Sequence, residues 1–304
     1  VEVRAVPITA FDARDPMRRR FGELEFRGGL HLTSSSKEFG GISAFRLARD
    51  GARFLAVSDK GRWWRGRIVY EGERPIGISD SEMAPILGPD GRPAARRGWY
   101  DAEAMAEDGG TVYLGIERAN QILRFDYGRH GLLARGVPIA VPPAARRLPH
   151  NGGLECLTFV PRGLPLGGTL LGIAERGLDQ AGALQGFFIG GPRSGSFALK
   201  ASDDFAITDC AVLPPNNLLV LERRYTLMRG VAMRMRRISL AEIRPNALVD
   251  GPIIIQADLA HQIDNMEALS VHRTPTGEVV LTLVSDDNFS PLQRTLLLQF
   301  RLLE

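Results

Sequence analysis

Lysine is almost missing from this 304-residue chain: Lys37, Lys60 and Lys200 are the only three among 38 basic residues. Arginine carries the rest, and its forked guanidinium suits phosphate and carboxylate; GC-rich coding would give the same bias without any function. A net charge of only +3 is too small to argue for nucleic acid as a partner, and none is expected. No apolar run reaches the 18 residues of a membrane span. Two cysteines, Cys156 and Cys210, are too few for a framework of staples. The five histidines (31, 130, 150, 261 and 272) show no ligand spacing. H-E-x-x-H, P-loop and paired-cysteine zinc motifs are all lacking, and "GISAF" (41–45) lacks the second glycine of a nucleophile elbow. No signal peptide is legible, but the first residue is Val1, and a segment trimmed before it is expected.

What the chain does contain is a repeat. "FGGISAFRL" (39–47) is followed by "FLAVSDKG" (54–61), and "YDAEAMA" (100–106) by "TVYLGIER" (111–118). "NGGLECLTFV" (151–160) precedes "TLLGIAER" (169–176), "AITDCAVLP" (206–214) precedes "NLLVLERR" (217–224), and "DNMEALSVH" (264–272) precedes "VVLTLVSDD" (279–287). The first elements align on Ser43, Glu103, Glu155, Asp209 and Glu267, at spacings of 60, 52, 54 and 58 residues. The next residue is always small: Ala44, Ala104, Cys156, Cys210 or Ala268. That equivalence predicts two buried, reduced cysteines on neighbouring inner strands. Each spacing holds about four short strands bounded by glycine and proline, the pattern of a β-propeller. The best helical candidate, 233–244, reads equally well as a strand.

Counting strands gives an all-β, five-bladed propeller as a single domain over 1–304. The last unit ends after its third strand, "RTLLLQFRL" (294–302), and residues 22–32 are expected to complete it, removing an open edge. Residues 1–9 are left as an extra edge strand. A sixth blade built from the chain ends is the alternative.

The second elements align on Asp59, Glu117, Glu175, Glu222 and Asp286. In antiparallel neighbours the start of one strand and the end of the next share a rim. Nine of these ten positions are acidic, in a chain with 35 acids among 304 residues, so the position itself is selected. Carboxylates crowded at one mouth repel unless protonated or bound to a cation. Glu103, Glu155, Asp209 and Glu267 are therefore the candidate metal ligands. Oxygen donors without histidine or cysteine suit Ca²⁺, and Mg²⁺ less well. Ser43 breaks the ring and leaves a side open for water or a ligand. The competing reading of the acids is an ion-pair girdle. Lys60, Arg118, Arg176 and Arg223 follow the second acids and would neutralise neighbouring blades or hold a substrate anion. Trp63 and Trp64 either line a ligand pocket at the same rim or cover blade one. His150, just ahead of an inner acid, is either a general base or an ordinary loop residue.

The motifs "FGGISAFRL…FLAVSDKG", "YDAEAMA…VYLGIERANQILRF", "GGLECLTF" and "NMEALSV…LVSDDNF" resemble, in content and order, the phytase-like ("esterase-like activity of phytase") family of bacterial propeller proteins, from about residue 20 to 304. The resemblance implies a propeller, export to the periplasm or medium, and a hydrolase acting on phosphate or carboxylate esters. Combined with the acid ring, it suggests a Ca²⁺-dependent hydrolase. His150, Asp59, Glu117 and Glu175 are the candidate catalytic groups, and Arg118, Arg176, Arg223, Lys60, Trp63 and Trp64 the candidate substrate contacts. The expected partner is a small anionic ester met by a monomer. The alternative is a non-enzymatic exported propeller whose structural central ion sits beneath a face that binds a partner or carbohydrate.

Overall fold

The innermost strand of each repeat is apolar on both sides, and a strand of that kind must be covered on both faces. A computed structural model, describing residues 1–149, 151–228 and 230–303, meets that demand with five sheets set around a channel. The innermost strands are Ile42–Leu47, Ala102–Asp108, Leu154–Phe159, Ala206–Leu213 and Asn265–Arg273, each neighbouring the next and the last returning to the first. Three antiparallel strands extend outward from each. Blade three carries a further short strand, Leu248–Val249, parallel to Ser196–Leu199. Five apolar clusters fill the five gaps between blades. The ambiguous 233–244 segment is strand in its first part, within Gly230–Ser239.

Blade five closes the ring. Its third strand, Thr295–Leu302, pairs with Leu24–Thr33 from the other end of the chain, and Arg4–Ile8 adds an edge strand beyond. Removing both edges this way leaves no free ladder between the first and last blades.

The tandem tryptophans do not line a pocket. They lie on the strand Arg62–Glu71, where successive side chains point to opposite faces. Trp63 enters the gap between blades one and two, against Phe125. Trp64 enters the gap between blades five and one, against Phe39 and Phe54, with its indole N–H on Ser81 Oγ at 2.9 Å. Both are fully buried.

Every inner strand carries a β-bulge where the acid motif falls. The ladder skips Ser43, Glu103, Glu155 and Glu267 in blades one, two, three and five. In blade four it skips Thr208, not Asp209: Ile207 pairs with Glu222, and Asp209 with Leu221. Elsewhere the residue opposite the pre-bulge position is Ser58, Ile116, Ala174 or Ser285, and the acid comes one residue later. Blade four has therefore slipped by one residue on both strands. A one-residue slip turns each side chain to the other face of its sheet.

That slip corrects three expectations. Asp209 takes the place of the small residue, and Glu222 turns away from the channel mouth. Cys210 lies one step beyond the equivalent of Cys156. Strictly equivalent cysteines would both point the same way around the ring; the slip turns Cys210 back toward blade three. The two are not reduced but joined in a disulfide, with Cα atoms 5.1 Å apart.

Candidate functional site at the channel mouth

Bulging leaves a residue outside the ladder and re-aims its side chain, here toward one mouth of the channel. Backbone bonds fix the acids of the second strands beside these bulges. Asp59 N–H donates to Gly41 O (3.0 Å), Glu117 N–H to Asp101 O (2.9 Å) and Glu175 N–H to Gly153 O (2.8 Å). The mouth is a cavity of about 400 Å³. It is lined by Asp59, Asp101, Glu103, Glu117, Glu155, Glu175, Glu267 and Asp286, with Arg118, Arg176, Arg223, Asn151 and Asn288.

Of the four expected metal ligands, Glu103, Glu155 and Glu267 converge here and Asp209 does not. Asp209 is buried deeper, where it receives both Arg46 terminal nitrogens (2.7 and 2.9 Å) and the backbone N–H groups of Leu269 (2.8 Å) and Cys210 (2.7 Å). Arg46 also donates to the carbonyls of Phe45, Met105, Leu157 and Leu269, from four different inner strands. With Asp209 from the remaining blade, it plugs the channel and gives the mouth a floor. Glu222 is likewise an ion-pair residue, fully buried between Arg234 (2.8 Å) and Arg236 (2.7 Å).

The electrostatics follow from crowding acids in a small cavity. Burial, reinforced by neighbouring carboxylates, pushes Glu103 and Glu155 well above the ordinary glutamate range, and Asp286 likewise for an aspartate. Burial lifts Glu267 to about 7, against the opposing pull of Arg223. Burial and then Asp101 lift Asp59 to about 6. Glu117 and Glu175 are raised by burial as well.

Carboxylate oxygens of Glu117, Glu155 and Glu175 lie within 4.8 Å of one another. Glu155 is only 8% exposed, and no described residue makes a hydrogen bond or ion pair to its carboxylate; Asp59 Oδ1 is buried without a hydrogen-bond partner among the described residues. An oxygen-only donor set with a buried, unpartnered carboxylate fits a hard cation such as Ca²⁺. Glu117 and Glu175, read from the sequence as catalytic, thus group with the ligand candidates. His150 lies outside the described residues.

The expected girdle is present in part. Arg223 pairs with Glu267 (2.9 Å) and lies 3.6 Å from Glu175, both on adjacent blades. Arg176 stays beside its own neighbour Glu175 (3.4 Å), and Arg118 bonds Asp101 (2.8 Å). Lys60 stacks over the Phe289 ring, 3.0 Å from its centroid, outside the cavity lining. Asp101 was missed from the sequence. It holds a left-handed backbone (φ 66°) at the place where blades one and three have Gly41 and Gly153, and that glycine-to-aspartate exchange was the available signal.

A search of curated proteins finds no match to the sequence. Among solved structures the chain is similar to Myxococcus xanthus glutaminyl cyclase, at 9% identity and a TM-score of 0.45, covering 87% of this chain and 92% of that one. It is also similar to the N-terminal domain of Nup159, at 10% identity and a TM-score of 0.40, covering 93% and 96%. Such distant likenesses say nothing about activity. The family model described as phytase-like, "esterase-like activity of phytase", matches residues 37–289. That span takes in all five inner strands and every acid of the mouth, and the chain belongs to the phytase-like family.

Proposed function

We propose that the protein is a Ca²⁺-dependent hydrolase acting on a phosphate or carboxylate ester at the acidic mouth. The observation that carries this reading is the buried Glu117–Glu155–Glu175 group, with Glu155 unpartnered among the described residues. These three residues would hold the ion, with Glu103 adding further charge. When bound, the ion supplies Lewis-acid polarisation of an ester or phosphoryl oxygen. Glu267, lifted to about 7, is suited to take a proton from water near neutral pH. Asp59, at about 6, is a second candidate for proton transfer, on the neighbouring blade. The Arg46–Asp209 floor excludes through-flow of water and confines the chemistry to one face. The Cys156–Cys210 disulfide supports an oxidising compartment, periplasmic or extracellular.

The test is metal analysis of the purified protein, followed by a panel of carboxylic and phosphate esters with and without Ca²⁺. Stoichiometric Ca²⁺ with turnover that chelator abolishes is expected. Bound Ca²⁺ without turnover on any ester would favour the binding-protein alternative. Absence of bound metal and of any Ca²⁺ response would refute the site.

A further inference from the structure

Four blades place an acid one residue past the partner of the pre-bulge position: Asp59, Glu117, Glu175 and Asp286. Blade four, slipped by one, places Arg223 there. The site thus contains a cation at an acid's position, built in by register. Arg223 is not a rim residue like the other two arginines of the mouth. The side chains of Arg118 and Arg176 are 57% and 64% exposed, that of Arg223 only 24%. Its Nε lies 2.9 Å from Glu267 Oε1 and its Nη2 3.6 Å from Glu175 Oε1. Nε has no well-directed hydrogen bond among the described residues, so the contact with Glu267 is a charge contact. Glu175 is also one of the three carboxylates grouped closely enough to share an ion.

We propose that Arg223 is a tethered counterion which a divalent cation displaces, and that the displaced guanidinium forms the anion subsite of this mouth. The inference rests on the proposed ion site. Arg223 and an ion on Glu117, Glu155 and Glu175 draw on the same negative charge, and Arg223 therefore weakens ion binding. Once the ion neutralises Glu175, the guanidinium loses part of its reason to face the acids. Its planar fork is then free to take an oxyanion bidentately. Of the three arginines that line the mouth, Arg118 and Arg176 stand at its exposed rim, and Arg223 is the one set among the inner carboxylates. Cation and anion binding are coupled through one side chain, and coupling of this kind is reciprocal.

Isothermal titration separates the possibilities, using Ca²⁺ alone and then inorganic phosphate on the Ca²⁺-loaded protein. In Arg223→Gln, Ca²⁺ should bind about tenfold tighter, because its competitor is gone, and phosphate about tenfold weaker or more, because a charge-assisted fork is lost. Arg223→Lys keeps the charge without the fork. It should bind Ca²⁺ within about threefold of wild type and still lose phosphate affinity, which also guards against a folding defect in the glutamine variant. If wild type and Arg223→Gln bind phosphate equally in the presence of Ca²⁺, Arg223 is a counterion only and the inference fails while the ion site stands. If Ca²⁺ binding is unchanged or weakened by Arg223→Gln, the competition fails. If the wild type binds no Ca²⁺, the proposed function falls, and this inference with it.

Discussion

Stripping the ion from the mouth should cost stability in a pH-dependent way, and Glu267 sets the scale. Its carboxyl is raised from 4.5 to about 7 by burial. A raised acid favours the folded state only while protonated. Its contribution is fully present below about pH 4.5 and is lost as pH rises through about 7. That difference corresponds to about 3 kcal/mol for this group alone, and Asp59 titrates in the same direction at about 6. A bound cation reverses the penalty, since it favours the ionised carboxylates. At a hundredfold excess over its dissociation constant it stabilises by about 2.7 kcal/mol. For a chain of 304 residues each kcal/mol moves Tm by about 2 °C. Calorimetry at pH 8 should therefore show Tm about 5 °C higher in Ca²⁺ than in chelator. At pH 5, where protons compete for the same oxygens, the gap should shrink to about 1 °C or vanish. In Glu155→Gln the pH 8 gap should narrow as well. Glu117, Glu155 and Glu175 are raised by burial too, and an equal response at both pH values would refute the idea that these three raised carboxylates hold the ion. No response at either would show that arginines alone neutralise the mouth.

Other consequences concern the scaffold. The disulfide closes a separation of 54 residues, which on chain-entropy grounds corresponds to about 4 kcal/mol; the Cys156→Ala/Cys210→Ala variant should unfold at correspondingly lower denaturant, and thiol titration of denatured, unreduced wild type should find no free thiol. Arg46→Met strands Asp209, which is only 1% exposed, and should cost about 3–5 kcal/mol in urea unfolding; adding Asp209→Asn should recover part of that loss, and failure to do so would deny the pair its place as the channel's floor. Glu222→Gln neutralises the carboxylate that Arg234 and Arg236 share but leaves each an aspartate, Asp203 at 3.0 Å and Asp250 at 2.8 Å, so the expected loss is smaller, about 1.5–3 kcal/mol; a variant as stable as wild type would show that the two aspartates suffice to hold those guanidiniums.

Much of the architecture was legible because a propeller repeats its demands. Small residues recur where inner strands crowd the channel, acids recur at the rim, and punctuating glycine and proline give about four strands per repeat. The closure could be counted, since blade five lacked an outer strand and 22–32 offered one. The mouth was legible in blades one, two, three and five, where the acid motif and the bulge coincide. It was misread in blade four. There the letters "TDC" and "ER" align with the acids of other repeats, but alignment by residue type is blind to which residue the ladder skips. Trp63 and Trp64 were ambiguous for a related reason: adjacent residues in a strand must face different neighbours, and only the packed blades show that both neighbours are present.

The sequence by itself determined the propeller, pointed to five blades closed by the two chain ends, and showed that one rim is acidic, because these depend on composition repeated at a period; the structure decided five against six. Tertiary structure alone decided the register of blade four, and everything that hangs on it: Asp209 drawn down to Arg46, Glu222 buried between two arginines, Cys210 turned to meet Cys156, and Arg223 placed among the acids. A β-ladder has a side-chain period of two, so a slip of a single residue reverses every assignment along both strands. What fixes that slip is contact with neighbouring blades at a distance in sequence that no local pattern reports.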